Sequence, residues 1–154
     1  VAGGLEMMLA CDLCIADESA RFSDGHLNFG QIPGGGSSQR LPRMIGVRRA
    51  KDMILSGRFV STQEALDFGL INRCVPAGEL DKAVQETVQS LSRLSFAGRK
   101  GAKYLVNEGL KGSISDGLKL EIDYCGTYET THPDAKEGML AFRDKRSPQF
   151  LPRS

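Results

Sequence analysis

Apolar and polar positions follow different patterns in the two halves of this 154-residue chain. Positions 1–75 mix short apolar runs with glycine-rich stretches, whereas positions 79–154 carry apolar residues at the spacing of amphipathic helices. The change falls at a Val-Pro-Ala-Gly segment, 75–78. We therefore expect an α/β unit at 1–76 and a helical region at 77–154.

The first half predicts short strands that alternate with helices. Strands are expected at 13–16, 20–23 and 70–75, and helices at 5–10, 39–45, 47–55 and 62–68. Pro42 is placed in the first turn of its helix, Gly69 ends another, and Ser61 with Glu64 forms a capping box. So few strands are typical of a unit that is incomplete at its N-terminal side, and the chain starts without methionine.

The second half predicts four helices. Apolar stripes indicate helices at 80–94, 97–110, 115–128 and 132–145, the last one capped near His132 and Pro133.

Composition and charge are typical of a globular protein. Hydrophobic residues make up 40% and charged residues 25%, and the net charge of +1 creates no field that would attract nucleic acid or anionic membrane. The longest uncharged apolar stretch, 7–11, is far shorter than the roughly 20 residues of a membrane span. A self-contained chain of this mass would expose roughly 7,600 Å². We expect no membrane or nucleic-acid partner.

The four cysteines predict no metal site. Cys11 and Cys14 form a CxxC pair, but no second pair at zinc-ligand spacing accompanies it. Their apolar neighbours favour four buried, free thiols, which is typical of a reducing compartment.

Glu6 is the first candidate for chemistry, because it is the only charged residue among positions 1–11. A carboxylate in an apolar setting suits proton transfer near neutral pH, and Gly3 and Gly4 allow a ligand to approach the backbone closely. The alternative is a first-turn glutamate that points to solvent and is favoured by the helix dipole. The residues alone leave both interpretations open.

His26 is the second candidate. Asp24 lies two residues before it, so an extended segment would project both side chains to the same side, where the carboxylate could orient the imidazole. An exposed loop histidine is the alternative. The glycine-rich loop 32–38 is neither a Walker nor a Rossmann motif, but it could bring backbone close to a ligand.

Several segments together resemble the crotonase (enoyl-CoA hydratase/isomerase) superfamily. They are AGGLE and ACD (2–6, 10–12), IPGGGSSQRLPR (32–43), SGR, EA and FGLIN (56–58, 64–65, 68–72), and EGMLAF with KRSP (137–142, 145–148). They occur in order along nearly the whole chain and match the later part of a family member. The resemblance implies a crotonase-like ββα spiral, incomplete at its N-terminal side, followed by a C-terminal helical oligomerisation region. Residues 1–76 would hold the active site, and residues 77–154 would form a trimer or a dimer of trimers.

The resemblance also implies roles for individual residues. Gly3 falls on an oxyanion-hole N–H and Glu6 on the first catalytic glutamate, whereas His26 falls where hydratases carry the second and Gly25 where the usual proline stands. Substrate contacts are expected from nearby polar and glycine-rich positions, namely Gly4, Asp24, Pro33, Gly34 and Gly35. Two positions near the C-terminus, Phe142 and Lys145, are expected to contact the CoA nucleotide.

The implied function is that of an acyl-CoA enzyme, with hydration of a 2-enoyl-CoA as the first expectation. Isomerisation or C–C bond hydrolysis of a CoA thioester is the alternative reaction, because a Glu6–His26 pair replaces two glutamates. A non-catalytic CoA-binding or oligomerisation fragment, which folds poorly alone, is the alternative of another class. No permanently bound cofactor is expected, since the CoA thioester is the substrate. A cytoplasmic location is expected, with mitochondria or another organelle left open.

Overall fold

The computed structural model describes residues 1–152. Its elements are α1 Gly3–Leu9, β1 Ile15–Asp17, β2 Arg21–Phe22, a 3₁₀ turn His26–Phe29, α2 Ser37–Ile45, α3 Val47–Ser56, β3 Val60–Ser61, α4 Thr62–Phe68, β4 Arg73–Val75, α5 Leu80–Ser92, α6 Phe96–Gly109, α7 Ile114–Thr131 and α8 Pro133–Arg143. The chain divides into two compact units, unit 1 over residues 1–86 and unit 2 from residue 87 onward. The division thus falls later than the change of sequence pattern.

Two short strand pairs organise unit 1. Strands β1 and β4 are parallel, with Ala16 opposite Cys74, and strands β2 and β3 are antiparallel, with Phe22 opposite Val60. Parallel strands need a long crossover, and helices α2, α3 and α4 lie within the one between β1 and β4.

The core of unit 1 forms where the apolar faces of its helices meet the strands. Leu41 of α2, Met53 of α3 and Ala65 of α4 are completely buried, together with Leu5 and Leu9 of α1 at 2% and 4% exposure. Burying a leucine or methionine side chain contributes on the order of 2 kcal/mol. This packing holds α1 and α2 against each other, and both carry site residues.

Local turn chemistry follows the sequence at α4. The Ser61 hydroxyl accepts the Glu64 N–H, the Glu64 carboxylate accepts the Ser61 N–H, and Gly69 ends the helix with φ 76°. The predicted capping box and glycine stop are therefore both confirmed.

Three expectations about local structure and burial are wrong. Helix α2 begins at Ser37, so Pro42 lies in its interior, where its ring leaves a backbone carbonyl one turn earlier without an N–H donor. The strand expected at 70–75 is only Arg73–Val75, because Leu70 and Ile71 are buried in the preceding turn. The cysteines are free but not all buried, since Cys11 is exposed and the other three are half-buried.

Unit 2 is helical and presents much apolar surface. Gly101 of α6 lies against Tyr124 of α7, where a Cβ would come within 2.8 Å of the ring. By contrast, Ile114, Leu118 and Ile122 follow one another on a face of α7 at 80%, 52% and 71% exposure.

Candidate active site

Helix α1 turns the Glu6 carboxylate into unit 1. Leu5, Glu6 and Leu9 are its buried residues, and Glu6 is only 8% exposed. The Ala2 N–H donates to the Ser23 carbonyl at 3.0 Å, which ties the start of α1 to the end of β2. The alternative of a glutamate that points to solvent therefore does not apply.

Backbone N–H groups of the glycine-rich loop and of the start of α2 donate hydrogen bonds to one oxygen of that carboxylate. Glu6 Oε1 accepts the Gly35 N–H at 2.7 Å and the Ser37 N–H at 3.1 Å. Ser37 opens α2, and the N–H groups of a first turn have no partner inside their own helix. A Cβ on Gly35 would lie 2.5 Å from Glu6 Oε2 and 2.9 Å from Cδ, so this approach requires glycine.

His26 lies beside Asp24, although not by the route expected. Gly25 between them has φ 64°, which makes the segment a left-handed turn instead of an extended strand. The turn brings His26 Nδ1 to 2.9 Å from Asp24 Oδ1. A proline, with φ fixed near −65°, could not occupy position 25 in this conformation.

Ser37 joins the two halves of the site. Its hydroxyl donates to Asp24 Oδ2 at 2.5 Å, while its backbone N–H is on Glu6. Asp24 and Ser37 are both 0% exposed. Ser37 was not predicted as a site residue, because the helix was expected to begin two residues later, at position 39. If the helix had been predicted to begin at Ser37, this residue would have been recognised as a polar group in the first turn of α2.

Glu6 and His26 face each other across a short gap. Glu6 Oε2, the oxygen that the loop does not hold, lies 3.7 Å from His26 Nε2, and the His26 side chain is 16% exposed. A carboxylate and an imidazole at this separation can serve a reacting group as base and acid. The four residues thus form a ring in the order Glu6, His26, Asp24 and Ser37, which the backbone N–H of Ser37 closes on Glu6.

The other predicted residues fall in two places. Gly3 is the first residue of α1, and its N–H donates to no acceptor in the described part of the chain. Gly3, Gly4 and Gly34 are exposed and Pro33 is half-buried, so each is open to a ligand. Phe142, at 83% exposure, and Lys145, just beyond α8, belong to unit 2.

Clefts of about 280 and 630 Å³ in the described part of unit 2 do not contain the ring. Asp134 lines the smaller one, but its carboxylate accepts from the Ser95 hydroxyl and the Leu151 N–H, and its own N–H donates to His132 Nδ1. These contacts fix the start of α8 and the tail, so the acid–base pair of unit 1 is the better candidate site.

Metal and membrane features are not found in residues 1–152. No three histidine, cysteine, aspartate or glutamate side chains in this range are grouped so that they could hold a metal ion. No helix in it is long and apolar enough to cross a membrane.

Comparisons with known proteins identify the same family as the motifs do. A family model described as enoyl-CoA hydratase/isomerase matches residues 1–153. The probable enoyl-CoA hydratase echA8 of Mycobacterium tuberculosis is 39% identical over 153 residues, which is 99% of this chain and 59% of that protein. The human mitochondrial enoyl-CoA hydratase domain-containing protein 2 is 37% identical over 156 residues, or 98% of this chain and 53% of that protein.

Solved structures share the fold. The enoyl-CoA hydratase from Bacillus anthracis superposes with a TM-score of 0.93 at 37% identity, covering 97% of this chain and 57% of that one. A putative enoyl-CoA hydratase/isomerase from Mycobacterium abscessus gives 0.92 at 32% identity, covering 99% and 63%. These matches confirm the predicted resemblance and the crotonase-like α/β fold. The chain spans about three fifths of the length of such relatives.

Proposed function

Because this chain belongs to the enoyl-CoA hydratase/isomerase family, we propose that the protein adds water reversibly to the double bond of a 2-enoyl-CoA. The observation that carries the proposal is the Glu6–His26 pair. Its Oε2 and Nε2 atoms lie 3.7 Å apart and belong to the hydrogen-bonded ring that also contains Asp24 and Ser37. Hydration needs one group to take a proton from water and another to give one to the α-carbon, and such a pair supplies both.

Glu6 is the proposed base for the water. Two backbone N–H groups hold Oε1, so the carboxylate is fixed while Oε2 stays directed at the gap. As the water oxygen bonds to the β-carbon, Oε2 takes its proton, and His26 in its imidazolium form gives the Nε2 proton to the α-carbon and is left as a neutral ring. In dehydration the two roles are reversed.

Gly3 is the proposed donor to the thioester oxygen. That oxygen gains negative charge as the enolate develops, and an N–H aimed at it stabilises the charge in the transition state. The loss of one such donor costs on the order of 3 kcal/mol. We place Gly4, Pro33, Gly34 and Gly35 along the acyl group, and Phe142 and Lys145 on the CoA nucleotide that is bound by a neighbouring subunit.

A second reaction is favoured by one observation. His26 stands where hydratases carry a glutamate, so the same pair could move a double bond, or direct water at the ketone of a β-keto acyl-CoA and cleave a C–C bond. The hydrolysis product is a new free carboxylate. We therefore keep isomerisation and C–C hydrolysis as the alternative reactions.

The assay is the loss of 2-enoyl-CoA absorbance on adding the full-length protein. Activity on at least one chain length is expected, and Glu6→Gln should lower kcat by about 10²–10⁴-fold. Glu79→Gln, at an exposed turn before α5, is the matched control. No absorbance change from short to long chains would refute hydration. A carboxylate released from a cyclic β-keto acyl-CoA, and lost in His26→Ala, would establish hydrolysis instead. CoA-thioester binding that Glu6→Gln leaves unaltered, without turnover in either assay, would identify a binding protein.

We propose further that the substrate is the only CoA compound bound, with no resident cofactor, and that the protein acts in the cytoplasm. Self-association as a trimer or a dimer of trimers is proposed for the region 77–154. Its support is the exposed apolar face of α7, which carries Ile114, Leu118 and Ile122.

A further inference from the structure

Asp24 is buried in the ring, and its position cannot be explained by contact with a substrate. It is 0% exposed, Oδ1 is held by His26 Nδ1 and Oδ2 by the Ser37 hydroxyl. The sequence predicted a substrate contact for Asp24, which these contacts leave no room for. A buried carboxylate with both oxygens occupied by ordered side chains is suited to orient those side chains.

We propose that Asp24 is a positioning residue that keeps the Nδ1 proton on His26, so that Nε2 alone exchanges a proton in the reaction. This proposal rests on the proposed function of the Glu6–His26 pair. The Asp24 carboxylate oxygen is an acceptor, so we assign the hydrogen of this contact to the imidazole nitrogen 2.9 Å away from it. In neutral His26 the other nitrogen, Nε2, is then an acceptor, and it faces Glu6 Oε2.

That tautomer leaves the Nε2 lone pair free to accept a proton, as a carboxylate oxygen would. In dehydration Nε2 takes the proton of the α-carbon and in hydration it gives that proton back, while Nδ1 keeps its hydrogen on Asp24 in both directions. With the opposite tautomer, Nε2 would donate to Glu6 and the pair would lose one acceptor. The choice of tautomer therefore decides whether a histidine can replace an acidic residue at position 26.

Ser37 makes this arrangement rigid. Its N–H donates to Glu6, and its hydroxyl donates to Asp24, which in turn contacts His26. Ser37 therefore positions Glu6 directly and His26 through Asp24. Gly25 provides the left-handed turn that His26 needs in order to reach back to Asp24. Gly25, His26, Asp24 and Ser37 thus act as one unit.

The first test is spectroscopic and needs no turnover. Histidine-selective ¹⁵N NMR of the full-length protein, with His26 assigned from the signal that His26→Gln removes, reports which nitrogen is protonated in the neutral ring. We expect Nδ1 to be the protonated nitrogen in wild type. Asp24→Asn is expected to switch the hydrogen to Nε2, because the Asn amide can donate to Nδ1. Asp67→Asn, at an exposed position of α4, is the matched control and should leave the spectrum unchanged.

The second test is kinetic, on whichever family substrate the protein turns over. Asp24→Asn should lower kcat by about 10²–10⁴-fold with little change in KM, since the residue does not touch the substrate. If Asp24→Asn does not fold, Ser37→Ala replaces it, with Ser90→Ala as the control. Ser37→Ala is expected to lower kcat less than Asp24→Asn would, and part of its neutral His26 should carry the hydrogen on Nε2. Wild type with the hydrogen on Nε2, or an Asp24→Asn protein with unchanged tautomer and kcat, would overturn the proposal. An Nδ1–H tautomer that switches in Asp24→Asn in a protein without hydratase activity would support it while refuting hydration.

Discussion

Gly35 lies against the reacting oxygen of Glu6, and replacing it with alanine tests whether that position matters. The new Cβ would come to 2.5 Å from Oε2, so the carboxylate would have to retreat by about 0.9 Å to reach the 3.4 Å at which ordinary contact begins. A misplacement of about 1 Å can cost about 10²-fold in rate, or about 2.7 kcal/mol in the activation barrier. We therefore expect Gly35→Ala to lower kcat by about 10²-fold.

The assay is the loss of 2-enoyl-CoA absorbance with the full-length Gly35→Ala protein, after its melting temperature has been compared with that of wild type. Gly126→Ala in α7 is the control and should cost far less, because a Cβ there meets no atom within 4 Å and the residue has no role in the proposed site. If the loss acts through Glu6, adding Gly35→Ala to Glu6→Gln should lower kcat little further. A folded Gly35→Ala protein with wild-type kcat would refute the reasoning, and so would equal losses from Gly35→Ala in both backgrounds.

Two further predictions concern unit 2. Hydrogen bonds from the Arg146 guanidinium and the Gln149 N–H lower the pKa of Glu137 from 4.5 to about 2. A carboxyl whose pKa is lowered by folding stabilises the fold above its ordinary pKa and loses that contribution as the pH falls towards the lowered value. Between about pH 5 and pH 2 the melting temperature of Glu137→Gln should therefore fall less steeply than that of wild type, and parallel curves would contradict this. Ile122→Glu should reduce the assembly measured by sedimentation, whereas Thr127→Glu, on another face of the same helix, should not. An unchanged mass for Ile122→Glu would exclude α7 from the interface.

Much of the fold could be predicted from local signals. Helix positions followed the apolar periodicity to within a few residues, because residues three and four apart share one face of a helix, whether that face is buried as in α2 or exposed as in α7. The capping box at Ser61 and the stop at Gly69 depend only on neighbouring residues, so the sequence was sufficient for them. The interior position of Pro42 was missed because packing of α2, whose Leu41 is fully buried, tolerates a local cost that propensity alone forbids.

The site was predicted in part. Glu6 and His26 could be chosen from the sequence, since a lone charge in an apolar segment and an Asp–x–His spacing are both visible there. The reason given for the Asp24–His26 pairing was wrong, because the left-handed Gly25 creates it and an extended segment does not. Ser37 was missed, because its two contacts join residues 13 and 31 positions away.

The sequence by itself determined the family, the order of helices and strands, and the residue types available for proton transfer, since all of these are encoded in local patterns and motifs. Only the tertiary structure decided how those residues meet. The packing of α1 against α2 buries Glu6 and brings it to the Gly35 and Ser37 amides, and the turn at Gly25 sets His26 between two carboxylates. These contacts depend on distances between segments far apart in the chain, which no local pattern encodes.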